Sequence, residues 1–210
     1  MLRIVVHSDL GCPFCYLGET TLSRLQDEWA FTMEWEPFEL HPEVPEDGVD
    51  VSEKAAERLE QLYKQVLWVA GTLKVPMNPP RSIPNSRRAL CAVLALREEH
   101  RDASDTLRTA LFKACYVDGL GISRPDQIAA VAAPVLTEQQ LRIVQNATVS
   151  AEALLALREA KERGFDALVT GVPVFRFFAA DDERLDYRVM GAQPAEVFER
   201  VFAALEVGRR

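Results

Sequence analysis

Leu2-Arg3-Ile4-Val5-Val6-His7-Ser8-Asp9-Leu10-Gly11-Cys12-Pro13-Phe14-Cys15-Tyr16-Leu17-Gly18 is the stretch from which the fold is read. The run Ile4-Val5-Val6 has no polar alternation, so residues 2–7 read as a strand covered on both faces. Pro13, whose fixed φ and missing N–H suit a first helical position, opens a helix of roughly four turns. In that helix Phe14, Leu17, Leu22 and Leu25 are spaced for one apolar side. Beyond it, Phe31-Thr32-Met33-Glu34-Trp35-Glu36 alternates strictly and reads as a strand with one wet face. Two parallel strands joined by a helix cross over right-handed, which sets Cys12 at the carboxyl edge of the sheet, where open α/β folds carry their sites.

From about Pro42 the strand signals stop. Ser52 starts a helix in which Leu59, Leu62, Val66 and Ala70 recur at helical spacing. Residues 73–84 hold Pro76, Pro79, Pro80 and Pro84 and read as a loop. Further helical stretches cover about 86–100, 104–117, 125–132, 137–146 and 150–163. Strand character returns at Pro173-Val174-Phe175-Arg176-Phe177-Phe178, and after the polar turn Asp181-Asp182-Glu183 a second strand over 185–190 completes a hairpin. The last helix, 194–205, aligns Val197, Val201 and Leu205, with Phe198 and Phe202 beside them. The order β-α-β, helical insertion, β-β-α is that of an α/β thioredoxin-like fold. It predicts a four-stranded mixed sheet with the two dense strands central, the two alternating strands at the edges, and a large all-helical insertion. Residues 1–42 and 165–210 form the thioredoxin-like part in this reading, and 43–164 the inserted helical domain.

Composition narrows the function classes. A chain of 210 residues, 48% hydrophobic and 27% charged, buries a core without a metal or disulfide staple. Its 24 basic against 32 acidic residues give a net charge of −8, and the basic residues are scattered, so a nucleic-acid partner is not expected. No stretch approaches the roughly 18 apolar residues of a membrane helix, and the first residues hold no apolar core of a signal peptide. The expected location is the cytoplasm, where most thiols stay reduced.

Cys-x-x-Cys alone is a weak motif, found in zinc sites as well. Following a buried strand and opening a helix, it gains meaning. The Cys12 sulfur would face the unpaired N–H groups and partial positive charge of a helix start, which favours thiolate and makes it the attacking group. Cys15, one turn further in, would be more shielded and would resolve a mixed disulfide formed at Cys12. The direction of exchange depends on the reduction potential, and Phe14 adds bulk without charge. The second indicator is Gly171-Val172-Pro173 before a dense strand. In a thioredoxin-like fold this loop lies against the cysteines, with the Pro173 peptide cis and the Val172 backbone free to pair with a substrate chain.

Several segments together carry a resemblance: Ser8-Asp9 with Cys12-Pro13-Phe14-Cys15-Tyr16-Leu17-Gly18, Pro37-Phe38-Glu39-Leu40, Asn85-Ser86-Arg87-Arg88-Ala89, Gly171-Val172-Pro173-Val174-Phe175 and Gly191-Ala192-Gln193-Pro194. In this order the chain resembles the DsbA-like thioredoxin superfamily, in its cytosolic FrnE-like branch. The resemblance implies a redox-active pair, Cys12 and Cys15, with Pro13, Phe14, Val172 and Pro173 as the substrate-binding surface. It implies protein or small-molecule thiols and disulfides as partners, and no bound cofactor, with glutathione or another thiol as redox partner. The chain departs from the periplasmic members in having no histidine between the cysteines, and from others in lacking a second clustered pair near its end. The superfamily also holds glutathione-dependent isomerases and kappa-class transferases acting on small molecules, where serine commonly stands at the first cysteine position. That activity is the alternative reading.

The remaining candidates read as structural. Cys91 and Cys115 sit amid Ala, Leu and Val on separate helices and read as small hydrophobes. His7 with Cys12 and Cys15 supplies three potential zinc ligands, but alternation points His7 away and no fourth lies near, so no metal is expected. His41 and His100 have no partner in the sequence, Trp29, Trp35 and Trp68 read as core or groove-lining, and Arg87 and Arg88 face either the groove or solvent.

Overall fold

The computed structural model describes residues 2–50, 53–78, 80, 82–179 and 186–208. Strand β1 (Leu2–Ser8) leads through Cys12 into helix α1 (Pro13–Arg24), which returns the chain to β2 (Phe31–Pro37). Helix α1 is shorter than its apolar spacing predicts. It tightens at its end into a single 3₁₀ turn, Leu25–Asp27, a common way to finish a helix. Next come β3 (Val49–Asp50), α2 (Glu53–Thr72), β4 (Ser82–Ile83), α3 (Arg87–Leu96), α4 (Arg101–Tyr116), α5 (Pro125–Ala132), α6 (Glu138–Ala147) and α7 (Ala151–Asp166). The chain closes with β5 (Val174–Phe178), β6 (Asp186–Met190) and α8 (Ala195–Ala204).

The sheet order is β2-β1-β5-β6, with β1 parallel to β2 and antiparallel to β5, and β5 antiparallel to β6. The two dense strands are therefore central and the two alternating ones lie at the edges, as expected. On one face Ile4, Val6, Phe175, Phe177 and Val189 pack against Leu22 and Leu25 and against Phe198 and Phe202 of α8. The final helix thus buries its phenylalanines completely, while Val197 and Val201 are only partly covered. A second core runs from Cys15 and Leu17 of α1 through Leu90, Val93, Leu107, Leu111 and Leu157, so the inserted helices share one apolar interior with the start of α1.

The insertion differs from expectation in detail. It is not all-helical: Val49–Asp50 pairs antiparallel with Ser82–Ile83, and strands of two residues have no periodicity to read. Helix α7 continues to Asp166, past the expected boundary at 164. In α2, Val66 and Ala70 are buried but Leu62 is 41% exposed. Trp29 and Trp35 belong to the core, whereas Trp68 is 72% exposed. Ser52, the turn at 181–183 and Leu185 lie outside the described residues.

The outer edge of β2 is blunted by side chains. Arg97 donates from Nη1 to the Trp35 carbonyl at 3.0 Å and pairs with Glu36 at 2.8 Å, while Arg101 reaches the Met33 carbonyl at 3.5 Å. Occupied carbonyls do not recruit another strand.

His7 lies in β1, 3% exposed, with both ring nitrogens unpartnered. Burial first, and then the charges of Arg176 and Arg188, lower its pKa to about 4 from an ordinary value of 6.5. The folded state thus holds the ring neutral, so the stability tied to His7 is full above pH 6.5 and is lost as pH falls toward 4. A shift of this size corresponds to about 3 kcal/mol. Urea midpoints should fall between pH 7.5 and pH 4.5 more steeply for the native chain than for His7→Leu; parallel midpoints would remove His7 from the account.

Candidate active site

The sequence folds locally so that a sulfur sits at the start of a helix. Cys12 is the N-cap of α1, with Pro13 at the first helical position. The Cys12 N–H donates to the Asp9 carbonyl at 3.1 Å, and its own carbonyl accepts from the Cys15 and Tyr16 N–H groups at 3.1 and 3.3 Å. Its thiol donates to the Val172 carbonyl at 3.8 Å, across the space between two segments far apart in the chain. The Val172–Pro173 peptide is cis, as the sequence reading expects. Val172 is not wholly free, however: its carbonyl is engaged by the Cys12 thiol. Pro13, Phe14 and Val172 are half-buried at the surface around Cys12, and Pro173 is buried.

Cys15 is fully buried, against 5% exposure for Cys12, and both are free thiols. Burial pushes the Cys15 thiol well above the ordinary range, and the neighbouring Cys12 pushes it the same way. The Asp9 N–H reaches its sulfur at 3.4 Å. The arrangement can therefore present one sulfur to a partner while holding the other behind it in reserve.

Asp9 ties the cysteine loop to distant segments. Its carboxylate accepts from the Gly11 N–H at 2.8 Å and the Leu40 N–H at 2.6 Å, and bonds the Ser86 side chain. Burial raises its pKa, and those three hydrogen bonds oppose the rise. Glu39 pairs with Arg87 at 2.8 Å, and Asn85 donates to the Val44 carbonyl at 2.6 Å and accepts from the Arg87 N–H at 3.0 Å. Arg87 and Arg88 thus serve ion pairs, the latter with Glu46 at 2.6 Å, rather than an open groove. Gly191, at φ +74°, sends its N–H to the Pro173 carbonyl at 2.9 Å. Gly18 permits the closest approach, since a Cβ there would lie 2.9 Å from the Phe175 ring and 3.4 Å from Pro173. Helix α1 is seated on the proline loop because that position has no side chain.

Sequence reading missed one part. Glu19, on the same side of α1 one turn beyond Cys15, accepts from the Ser8 hydroxyl and pairs with Arg108 of α4. Ser8, Glu19 and Arg108 are exposed by 0%, 4% and 5%, a buried ion pair directly behind the cysteines. The spacing Cys15 to Glu19 was legible, but nothing in the sequence announces a partner at 108. Cys91 and Cys115 behave as small hydrophobes: burial pushes their thiols up to about 11 and about 12. His41 pairs with Glu43 at 2.9 Å on the surface. Among the described residues no group of three His, Cys, Asp or Glu stands together to hold a metal, and no helix is long and apolar enough to cross a membrane.

Comparison with known proteins agrees with this architecture. The uncharacterized protein YwbO of Bacillus subtilis (strain 168) is 24% identical over 204 residues, 96% of each chain. A probable DsbA oxidoreductase from Streptomyces coelicolor superposes with a TM-score of 0.78 at 22% identity, covering 98% of this chain and 90% of its own. The cytosolic disulfide reductase DsbM of Pseudomonas aeruginosa superposes with a TM-score of 0.69 at 15% identity, covering 97% and 98%. These likenesses establish the fold. The family model described as a DSBA-like thioredoxin domain matches residues 3–203, nearly the whole length, and the chain belongs to that family.

Proposed function

We propose that the protein is a thiol–disulfide oxidoreductase in which Cys12 attacks and Cys15 resolves. The observation that carries this reading is the pairing of one sulfur at the helix start, beside Val172 and Pro173, with a second, completely buried thiol behind it. A partner thiol or disulfide meets Cys12 across the surface of Pro13, Phe14 and Val172. Exchange of the Cys12 thiol from the Val172 carbonyl to a substrate sulfur frees that carbonyl for a substrate N–H. Cys15 then attacks the Cys12 sulfur, releasing the partner as a thiol and leaving the internal disulfide; the reverse sequence oxidises a partner. We read the chain as FrnE-like, acting in the cytoplasm with glutathione or another small thiol as redox partner. That DsbM is a cytosolic disulfide reductase, also solved with GSH, supports the reading. A resolving thiol fits disulfide exchange better than glutathione-dependent isomerisation or transfer, which need only the first position.

Redox titration tests this. Equilibrated in glutathione buffers of graded potential and quenched by alkylation, the protein should show a single two-electron transition confined to peptides holding Cys12 and Cys15, with Cys91 and Cys115 alkylated only after unfolding. Absence of an internal disulfide at any potential would overturn the assignment.

A further inference from the structure

A helix start favours a thiolate at Cys12, and a well-stabilised thiolate makes a dithiol a poor donor of electrons. One residue works against that bias. Asp9 is 2% exposed, and its carboxylate rests on neutral donors, the Gly11 N–H at 2.8 Å on Oδ1 and the Leu40 N–H at 2.6 Å on Oδ2. Ser86 stands at the same place, since a Cβ on Gly11 would lie 3.4 Å from the Ser86 Oγ and 3.5 Å from Asp9 Oδ1. Both carboxylate oxygens thus accept from groups that only donate, which favours the charged form. The cations of the neighbouring segments are engaged elsewhere: Arg87 pairs with Glu39, Arg88 with Glu46 and His41 with Glu43. Asp9 also belongs to the turn that carries both sulfurs. Its carbonyl accepts the Cys12 N–H at 3.1 Å, and its N–H reaches the Cys15 sulfur at 3.4 Å. In so dry a place a fixed charge is weakly screened.

We propose that the buried charge of Asp9 sets the direction of exchange: it opposes the thiolate at Cys12, makes the dithiol the less stable form, and so fits the protein to disulfide partners that it reduces rather than to dithiols that it oxidises. This rests on the disulfide-exchange reading and adds its direction. The Cys12 thiolate attacks one sulfur of the partner disulfide; the partner S–S bond breaks, and the leaving sulfur takes a proton from solvent. Cys15 gives its proton to solvent and attacks the Cys12 sulfur, forming the internal disulfide as the second partner sulfur leaves and is protonated. Two electrons and two protons in all pass from the Cys12/Cys15 dithiol to the partner. Two molecules of glutathione or another small thiol restore the dithiol and are joined as one disulfide. A negative charge fixed in the turn repels the thiolate, which exists only in the reduced protein, and leaves the neutral disulfide untouched. The equilibrium therefore moves toward the oxidised protein and the reduced partner.

The equilibrium with glutathione reads this directly. Asp9→Asn keeps the shape of the side chain and removes its charge, so the exchange constant with glutathione should shift at least about tenfold toward the dithiol, a potential higher by about 30 mV. Ser86→Ala disturbs the same turn but leaves the charge in place, and should stay within about twofold of the native chain. Equal shifts in the two variants would assign the effect to the turn and overturn the role of the charge. An Asp9→Asn chain that keeps the native equilibrium, or moves toward the disulfide, overturns it as well. Should Asp9→Asn fail to fold, the native chain decides: its oxidised form, mixed one to one with a reduced peptide holding two cysteines, should leave that peptide reduced, and a peptide closed to its disulfide overturns the proposed direction. A native chain that forms no internal disulfide at any glutathione potential fails earlier, at the exchange reading itself.

Discussion

Cys12→Ser is expected to lower dithiol-dependent reduction of a protein disulfide by at least about 10³-fold, because a serine hydroxyl neither ionises near neutral pH nor forms a bond that Cys15 can cleave. The fold should survive. The side chain is nearly isosteric, and the Cys12 backbone bonds that start α1 do not involve the sulfur. Cys15→Ser should fail differently: attack at Cys12 persists, and the variant accumulates as a mixed disulfide with its partner, visible as a mass increase removed by reductant. The contrast is informative because serine at the first position is what the glutathione-dependent isomerases and transferases of the superfamily commonly carry. If Cys12→Ser retained disulfide-reducing activity, or if Cys15→Ser turned over as fast as the native chain, the division of labour between the two sulfurs would be wrong.

Arg108→Met is expected to destabilise the fold by about 3–5 kcal/mol. Arg108 is only 5% exposed and its guanidinium sits between Glu19 and Asp105, so its removal leaves the Glu19 carboxylate buried without a counter-charge. The cost comes from the abandoned partner rather than from the worth of the pair, since removing both charges together is often neutral. Arg108→Met combined with Glu19→Leu should therefore recover most of the lost stability in urea titrations. Acid gives a second readout, because the single variant should regain stability relative to the native chain as falling pH protonates Glu19. A single variant as stable as the native chain would mean that solvent reaches Glu19 and screens it.

Periodicity made most of the fold legible. The dense apolar runs at 4–6 and 174–178, the latter broken only by Arg176, became the central strands, and the alternation at 31–36 and 186–190 became the edges, because burial on one face or two leaves a direct mark on composition. The ribbon of β3 and β4 left no such mark, being too short to have a period. At the site, Cys12, Pro13 and Val172-Pro173 were recognisable because each obeys a local rule: a helix start, a first-turn proline, a strand preceded by a turn. Ser8, Glu19 and Arg108 obey none. Their significance arises only when α1 and α4 are packed together, bringing two charges into one dry space from positions 89 apart.

The Asp9 carboxylate joins the cysteine turn to the backbone at Leu40 and to Ser86, three threads of the chain gathered by one side chain. Anyone transplanting residues 9–18 into another scaffold would move the reactive sulfur but leave behind the two anchors that fix its orientation. A graft that also brings equivalents of 39–40 and 85–87 should carry the geometry with it.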